Sequence, residues 1–167
     1  MGAMSSGGWS GSVTPVSPPS SANPGVRTLA YAALVTGTWS GLLSLVVYAI
    51  ALVLRVPMDV QTVAGLQPVP WFAVLLLPVL AAEVGGLAAL LVRGRRGAGR
   101  IVFWVGTAIA IASLIPLIGQ PDQVLVSTRI WLGVMHVITW LLVVPQIARI
   151  IGDSEPGKHE EREVVYG

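Results

Sequence analysis

Cysteine is absent from the 167-residue sequence, which excludes disulfide bonds, thiolate metal sites and a cysteine nucleophile. Charged residues are scarce as well: they make up 11% of the chain, against about 25% in soluble globular domains. The few arginines lie at the ends of apolar segments and form no basic face, so we expect no nucleic acid partner. Neither GxxxxGKS nor GxxxxGKT, the nucleotide-binding loop, nor any other catalytic motif occurs. These absences favour a non-enzymatic protein without a cofactor.

Apolar residues dominate what is present. The chain is 54% hydrophobic and has a mean hydropathy of +0.77, which places it in the membrane class. Crossing a hydrocarbon core of about 30 Å takes about 20 helical residues. Four apolar runs reach that length, at residues 29–54, 70–92, 101–119 and 130–151. Because the connections between them are short, neighbouring spans should run in opposite directions. The predicted fold is all-α, an integral membrane four-helix bundle in up-down-up-down order.

The two ends of the chain differ in composition from the four-span domain, which we place at residues 28–151. Residues 1–27 are rich in Ser, Gly and Pro and carry no charge before Arg27. They are predicted to be a disordered tail and not a cleavable signal peptide. Residues 152–167 change abruptly to charged and helix-breaking types, so a second disordered tail is predicted there.

Lys and Arg predict which side of the membrane each connection faces, since cytoplasmic loops carry the excess. With both termini cytoplasmic, eight basic residues lie inside and two, Arg55 and Arg129, lie outside. Half of the inner charge comes from the connection RGRRGAGR, which has no acidic residue. Its arginines form the predicted topological anchor and should attract anionic lipid: Arg93, Arg95, Arg96 and Arg100. We therefore expect a multi-pass protein of a bacterial cytoplasmic membrane, with the lipid bilayer as its surroundings and partner.

Small residues recur on one side of each predicted span, a pattern typical of helix packing in lipid. In the first span, Gly37 and Gly41 form a GxxxG motif. Two interpretations are open. The motif either allows close packing within the monomer, which is the commoner use, or forms the interface of a homo-oligomer.

Glu83 is the only acidic residue in the four runs. A charge at mid-bilayer costs about 2.5–3.5 kcal/mol, so we expect this carboxyl group to be largely protonated unless water or a cation reaches it. A rise of about 1.5 Å per residue places Ser40 and Thr107 at the same depth. The neutral acid is predicted to bond to one of these hydroxyls. The alternative is a proton- or cation-coupled site beside Pro78, since proline frees a backbone carbonyl and kinks a helix around a cavity.

A second polar layer is predicted about 10 Å nearer the outer surface. It contains His136, Tyr48 and Ser113, with Arg129 at its outer mouth. We expect His136 to bond to Tyr48 or Ser113 on a neighbouring helix, and a pH-sensitive or ligand-binding role is the alternative. No metal site is expected, because no second His or Cys lies one turn from His136.

Two segments resemble a known family. The first, VPMDVQTV at Val56–Val63, lies in a Val-rich connection whose partial alternation also predicts a short strand or hairpin. The second is MHVITWLLVVPQIAR at Met135–Arg149. Both are similar to the domain of unknown function 6069 family, uncharacterised four-span membrane proteins common in actinobacteria. The resemblance covers about residues 28–150. It implies a four-helix membrane domain without an established activity, with His136 and Pro145 at family-like positions and nothing transferred to Glu83.

The functional expectation is a non-enzymatic membrane accessory or structural component. The alternative is a small proton-coupled transporter that acts as an oligomer and uses Glu83. An intramembrane enzyme is disfavoured, because Glu83 and His136 differ too much in depth to act as an acid–base pair.

Overall fold

The structure is a computed structural model in which residues 25–155 are described. Four of its helical segments are long and apolar enough to cross a membrane, as the sequence predicts. Most of the two predicted disordered tails, residues 1–24 and 156–167, lies outside the described residues. Of the part that is described, residues 26–27 begin the first helix and residue 152 ends the last one. Many large apolar side chains are exposed on the outside of these helices, as a lipid environment requires.

Three of the four spanning helices begin three or four residues before their apolar runs, and the second begins one residue after its run starts. In chain order they are α1 (Val26–Val53), α2 (Trp71–Ala89), α3 (Ala98–Ala112), α4 (Ile115–Ile118) and α5 (Val126–Gly152). A 3₁₀ turn, Leu90–Val92, prolongs α2, and the short α4 prolongs the apolar run of α3. The helix α5 begins at Val126 and not at residue 130, because a helix can continue into the polar residues that hydropathy does not count as span.

The helix α5 lies at the centre of the packing. It contacts α1 along one side and α3 along another, while α2 packs mainly against α1 and touches α5 over a shorter stretch. One core cluster joins Leu29, near the start of α1, to Ile151, near the end of α5. A second joins Tyr48 to Met135. Helices α2 and α3 thus both contact α5 but do not pack closely against each other.

Glycine explains how closely α1 approaches α2. A Cβ atom on Gly37 would lie 2.8 Å from the Cα of Val79, and one on Gly41 would overlap the carbonyl oxygen of Leu75. Contacts this short are not tolerated, so both positions require glycine. The GxxxG motif therefore packs within the monomer, which is the interpretation that the sequence favoured.

The connection after α1 is a β-hairpin, as predicted. Strand β1 (Asp59–Thr62) pairs antiparallel with β2 (Gly65–Pro68), with Thr62 opposite Gly65. Three hydrogen bonds tie its base and edge to the helices. The Tyr48 hydroxyl donates to the carbonyl oxygen of Val69 at 2.7 Å, and the Thr128 hydroxyl donates to the carbonyl oxygen of Pro57. The backbone N–H of Gln61 donates to Gln120 Oε1, just after α4, at 2.8 Å. The hairpin end of the bundle is therefore capped.

The opposite end is closed by residues that follow α5. The amide of Gly94 donates to Ser154 Oγ at 3.2 Å, and the amide of Gly99 donates to Glu155 Oε1 at the same distance. A carboxylate at the first turn of α3 is favourable, because unpaired amides and the helix dipole are positive there. Ser154 and Glu155, which the sequence assigns to the tail, thus contact the arginine-rich connection.

Candidate functional site

Two adjacent residues, Thr139 and Trp140, join α5 to its neighbours inside the span. The Ser40 hydroxyl of α1 donates to Thr139 Oγ1 at 2.9 Å. Trp140 Nε1 donates to Thr107 Oγ1 of α3 at 3.0 Å. Each threonine hydroxyl in turn donates to a backbone carbonyl one turn earlier in its own helix. The deep polar layer therefore runs α1–α5–α3, with α5 supplying the middle.

Glu83 is not part of this layer, although depth alone predicted it. Both of its expected partners are occupied, Ser40 by Thr139 and Thr107 by Trp140. Among residues 25–155, Glu83 forms no hydrogen bond and no ion pair, and its side chain is half-buried. The predicted bond from Glu83 to Ser40 or Thr107 is therefore wrong. The count of residues gave the level of Glu83 along its helix but not the direction of its side chain.

The four residues predicted for the outer layer each bond to a backbone carbonyl and not to one another. Tyr48 bonds to the hairpin as described above, and Ser113 Oγ donates to the Ala110 oxygen at 2.7 Å. His136 Nδ1 lies 2.9 Å from the Leu132 oxygen. Arg129 Nη2 donates to the Pro121 oxygen at 2.9 Å. The bonds expected from His136 to Tyr48 or Ser113 are thus not formed, since each group finds a nearer carbonyl.

The arginines of the predicted anchor, Arg93, Arg95, Arg96 and Arg100, all have exposed side chains. The connection turns at Gly94 and Gly97, whose φ angles of 73° and 75° lie in the left-handed region that glycine adopts without strain. The anchor role and its attraction for anionic lipid stay predictions.

A cleft of about 590 Å³ opens between α2 and α3, with α5 as its floor; we call it the α2–α3 cleft. Its walls are almost entirely apolar, for example Leu77, Ala81 and Val105. The volume is within the range of roughly 300–1,000 Å³ that small-molecule sites occupy. Because α2 and α3 do not close over it, the cleft is open from the side that faces lipid.

Five polar residues line the α2–α3 cleft: Ser44, Ser113, His136, Thr139 and Trp140. Glu83 does not line it. Ala81 and Gly85 of the same helix do, and a turn of about 100° per residue directs Glu83 about 160–200° away from both. The carboxyl group on which the transporter alternative depends therefore lies on another face of α2. The sequence did not single out Ser44, Thr139 or Trp140. Ser44 follows Gly37 and Gly41 at helical spacing on the small-residue side of the first span, which is the signal that could have found it.

A family model described as a family of unknown function, DUF6069, matches residues 24–152. The chain belongs to this family. No curated protein and no solved structure matches it. The DUF6069 match includes every helix of the structure, both strands and the whole α2–α3 cleft. Both segments that resemble the family contain a residue with a position in the fold itself. Met58 belongs to the core at the hairpin end, and Pro145 lies inside α5.

Glu83 and His136, the two titratable groups singled out within the spans, face different surroundings, so they form no acid–base pair. Within residues 25–155, no three His, Asp or Glu side chains are grouped closely enough to hold a metal ion. An apolar cleft with a few polar groups and lateral access to lipid is instead suited to a lipophilic molecule.

Replacing Thr107 by valine tests the deep layer. Valine keeps the shape of threonine but leaves Trp140 Nε1 without its acceptor, so we expect a loss of about 0.5–1.5 kcal/mol in the free energy of unfolding. The measurement is an SDS-unfolding titration in detergent micelles. Thr107→Ser keeps the hydroxyl and is expected to stay close to the wild type. Equal losses for valine and serine would assign the effect to packing and not to the hydrogen bond.

Proposed function

We propose that this DUF6069 protein is a non-enzymatic accessory component of a bacterial cytoplasmic membrane that holds a lipophilic molecule of the bilayer in the α2–α3 cleft. The main support for this proposal is the cleft itself, which is apolar, laterally open and of small-molecule size.

The proposed arrangement in the membrane is up-down-up-down, with both termini in the cytoplasm. Support comes from the excess of arginine at the RGRRGAGR connection and from the hairpin at the other end, whose neighbourhood carries few basic residues. In this orientation the hairpin caps the bundle on the outside. The cleft opens within the bilayer, so its occupant enters from lipid and not from water.

Filling the cleft is the direct test. A Cβ on Gly85 meets only Ile147 Cδ1, at 3.9 Å, so a side chain there has room to enter the cleft. Gly85→Leu is expected to abolish retention of a lipophilic molecule when the protein is released from lipid nanodiscs and weighed by native mass spectrometry. The matched control is Val84→Leu on the lipid-exposed face of α2, which should retain the molecule as the wild type does.

Two results would contradict the proposal. One is retention by Gly85→Leu equal to that of Val84→Leu. The other is efficient disulfide formation between copies through Ile109→Cys, an exposed cleft residue, because the cleft would then be occupied by a second copy of the chain. The chain has no cysteine of its own to interfere.

Topology is tested by labelling with a membrane-impermeant maleimide in intact cells. A cysteine at Val63, on the fully exposed hairpin tip, is expected to react from outside. A cysteine at Arg96 is expected to react only after permeabilisation. Arg96 is preferable to the neighbouring Gly97, whose φ of 75° would strain any other residue. Labelling of Arg96→Cys in intact cells, with Val63→Cys protected, would reverse the proposed orientation.

A further inference from the structure

Ser44 differs from the other buried hydroxyl residues of the spans. Its side chain is 1% exposed, it lines the α2–α3 cleft, and its Oγ has no hydrogen-bond partner among residues 25–155. Thr36, Thr107 and Thr139 each donate to a carbonyl of their own helix. A buried hydroxyl without a partner costs free energy, so Ser44 Oγ is a group in need of a bond.

His136 supplies a complementary atom. Since a carbonyl oxygen only accepts, Nδ1 carries the proton that is shared with the Leu132 oxygen. In the neutral imidazole, Nε2 is then an acceptor, and it has no partner among the described residues. The other polar groups of the cleft, on Ser113, Thr139 and Trp140, already donate to protein acceptors. Among the described side chains that line the cleft, Ser44 therefore holds the one unpartnered donor and His136 the one unpartnered nitrogen acceptor.

Both residues lie at one level. The bond between Ser40 and Thr139 fixes how α1 and α5 are aligned. From that bond towards the hairpin end, Ser44 is about 6 Å along α1 and His136 about 4.5 Å along α5. The two groups thus differ by only about 1.5 Å in height on the walls of a single cleft.

Depth excludes a phospholipid head group as the bonded group. Ser44 is about 7 Å from the middle of α1, whereas the hydrocarbon core extends about 15 Å on each side of its centre. A head group stays at the interface because burial of its charges is costly. The bonded oxygen must belong to a molecule that enters the hydrocarbon entirely.

From these observations, and resting on the proposed function of the cleft, we propose that its occupant is a lipophilic alcohol or phenol. Its hydroxyl donates to His136 Nε2, and its oxygen accepts the proton of Ser44 Oγ–H. A ketone or an ether has no proton to donate to Nε2, so it satisfies only Ser44. Gln146 Nε2 and Arg129 Nε are also buried without partners, but neither residue lines the cleft.

The experiment compares para-nonylphenol with its methyl ether, para-nonylanisole, which accepts but does not donate. Dissociation constants are measured by native mass spectrometry for the full chain in nanodiscs. The wild type is expected to bind the phenol about tenfold more tightly than the ether. His136→Phe should reduce this preference by about threefold or more and leave the affinity for the ether unchanged. Ser44→Ala should instead weaken the binding of both probes by about threefold or more and leave the preference intact, because both probes accept the Ser44 proton. Ser44→Ala should not destabilise the protein, and a small gain in the free energy of unfolding is expected, because the lost hydroxyl is buried and bonds to nothing in the protein.

The outcomes separate the two proposals. Equal binding of phenol and ether by the wild type overturns the hydroxyl assignment and leaves cleft binding intact. A full preference that persists in His136→Phe also overturns it, as does an unchanged affinity for both probes in Ser44→Ala. A marked destabilisation by Ser44→Ala overturns it too, because it would reveal a partner within the protein. If neither probe binds and Gly85→Leu changes nothing, cleft binding itself fails.

Discussion

Replacing Gly41 by alanine is expected to lower the free energy of unfolding by about 1–3 kcal/mol or more. The added Cβ would overlap the carbonyl oxygen of Leu75, which belongs to helix backbone and cannot rotate away as a side chain does. Helices α1 and α2 must then separate, and the contact at Gly37 one turn earlier loosens with it. An SDS-unfolding titration in micelles measures the loss.

Gly85→Ala is the matched control for Gly41→Ala. It makes the same change inside a membrane helix, but the new Cβ meets only a side-chain methyl group at 3.9 Å. We expect no loss there, and a small gain is consistent with the higher helix propensity of alanine. If both variants were equally stable, α1 and α2 would not approach as closely as described.

Gly99→Ala is expected to have a comparable effect at the arginine-rich end, also about 1–3 kcal/mol. The Cβ would lie 2.8 Å from the carbonyl oxygen of Ala148 and 2.9 Å from the Cα of Gly152. Both belong to the α5 backbone, so the start of α3 must move away. That movement also weakens the hydrogen bond from the Gly99 amide to Glu155.

The measurement for Gly99→Ala combines unfolding with limited trypsin digestion. Cleavage after the arginines of the RGRRGAGR connection should become faster, because separation of α3 from α5 releases that connection. The control is Gly133→Ala in α5, where the nearest atom to the new Cβ is Leu117 Cδ2 at 4.0 Å. Faster cleavage in Gly133→Ala as well would show that the effect is not specific to the α3–α5 contact.

The structure also changes how Glu83 is understood. Its carboxyl group was the obvious functional centre, because acidic residues inside membranes mark ion and proton pathways. Its neighbours in the chain show why it is not in the cleft: Ala81 and Gly85 point into the cleft, and the helical turn directs Glu83 elsewhere. Ser44, an ordinary hydroxyl residue in the sequence, becomes the more informative position.

The membrane class, the four spanning helices and the hairpin after α1 follow from the sequence by itself. Run length and hydropathy determine spans, because a hydrocarbon core demands about 20 apolar helical residues. Partial alternation in the Val-rich connection predicted a short strand or hairpin there. The glycines of the first span predicted close helix packing, and Gly37 and Gly41 provide it against α2.

Only the tertiary structure decided which helices are neighbours, and hence where the polar groups go. In lipid, the outside of a helix is as apolar as its packed side, so composition does not distinguish the two. Counting residues gave the depth of Ser40, Glu83 and Thr107 but not their rotation about each helix axis. The orientation of each helix about its axis places Ser40 and Thr107 against α5 and directs Glu83 to another face of α2. It leaves Ser44 and His136 on the walls of the α2–α3 cleft.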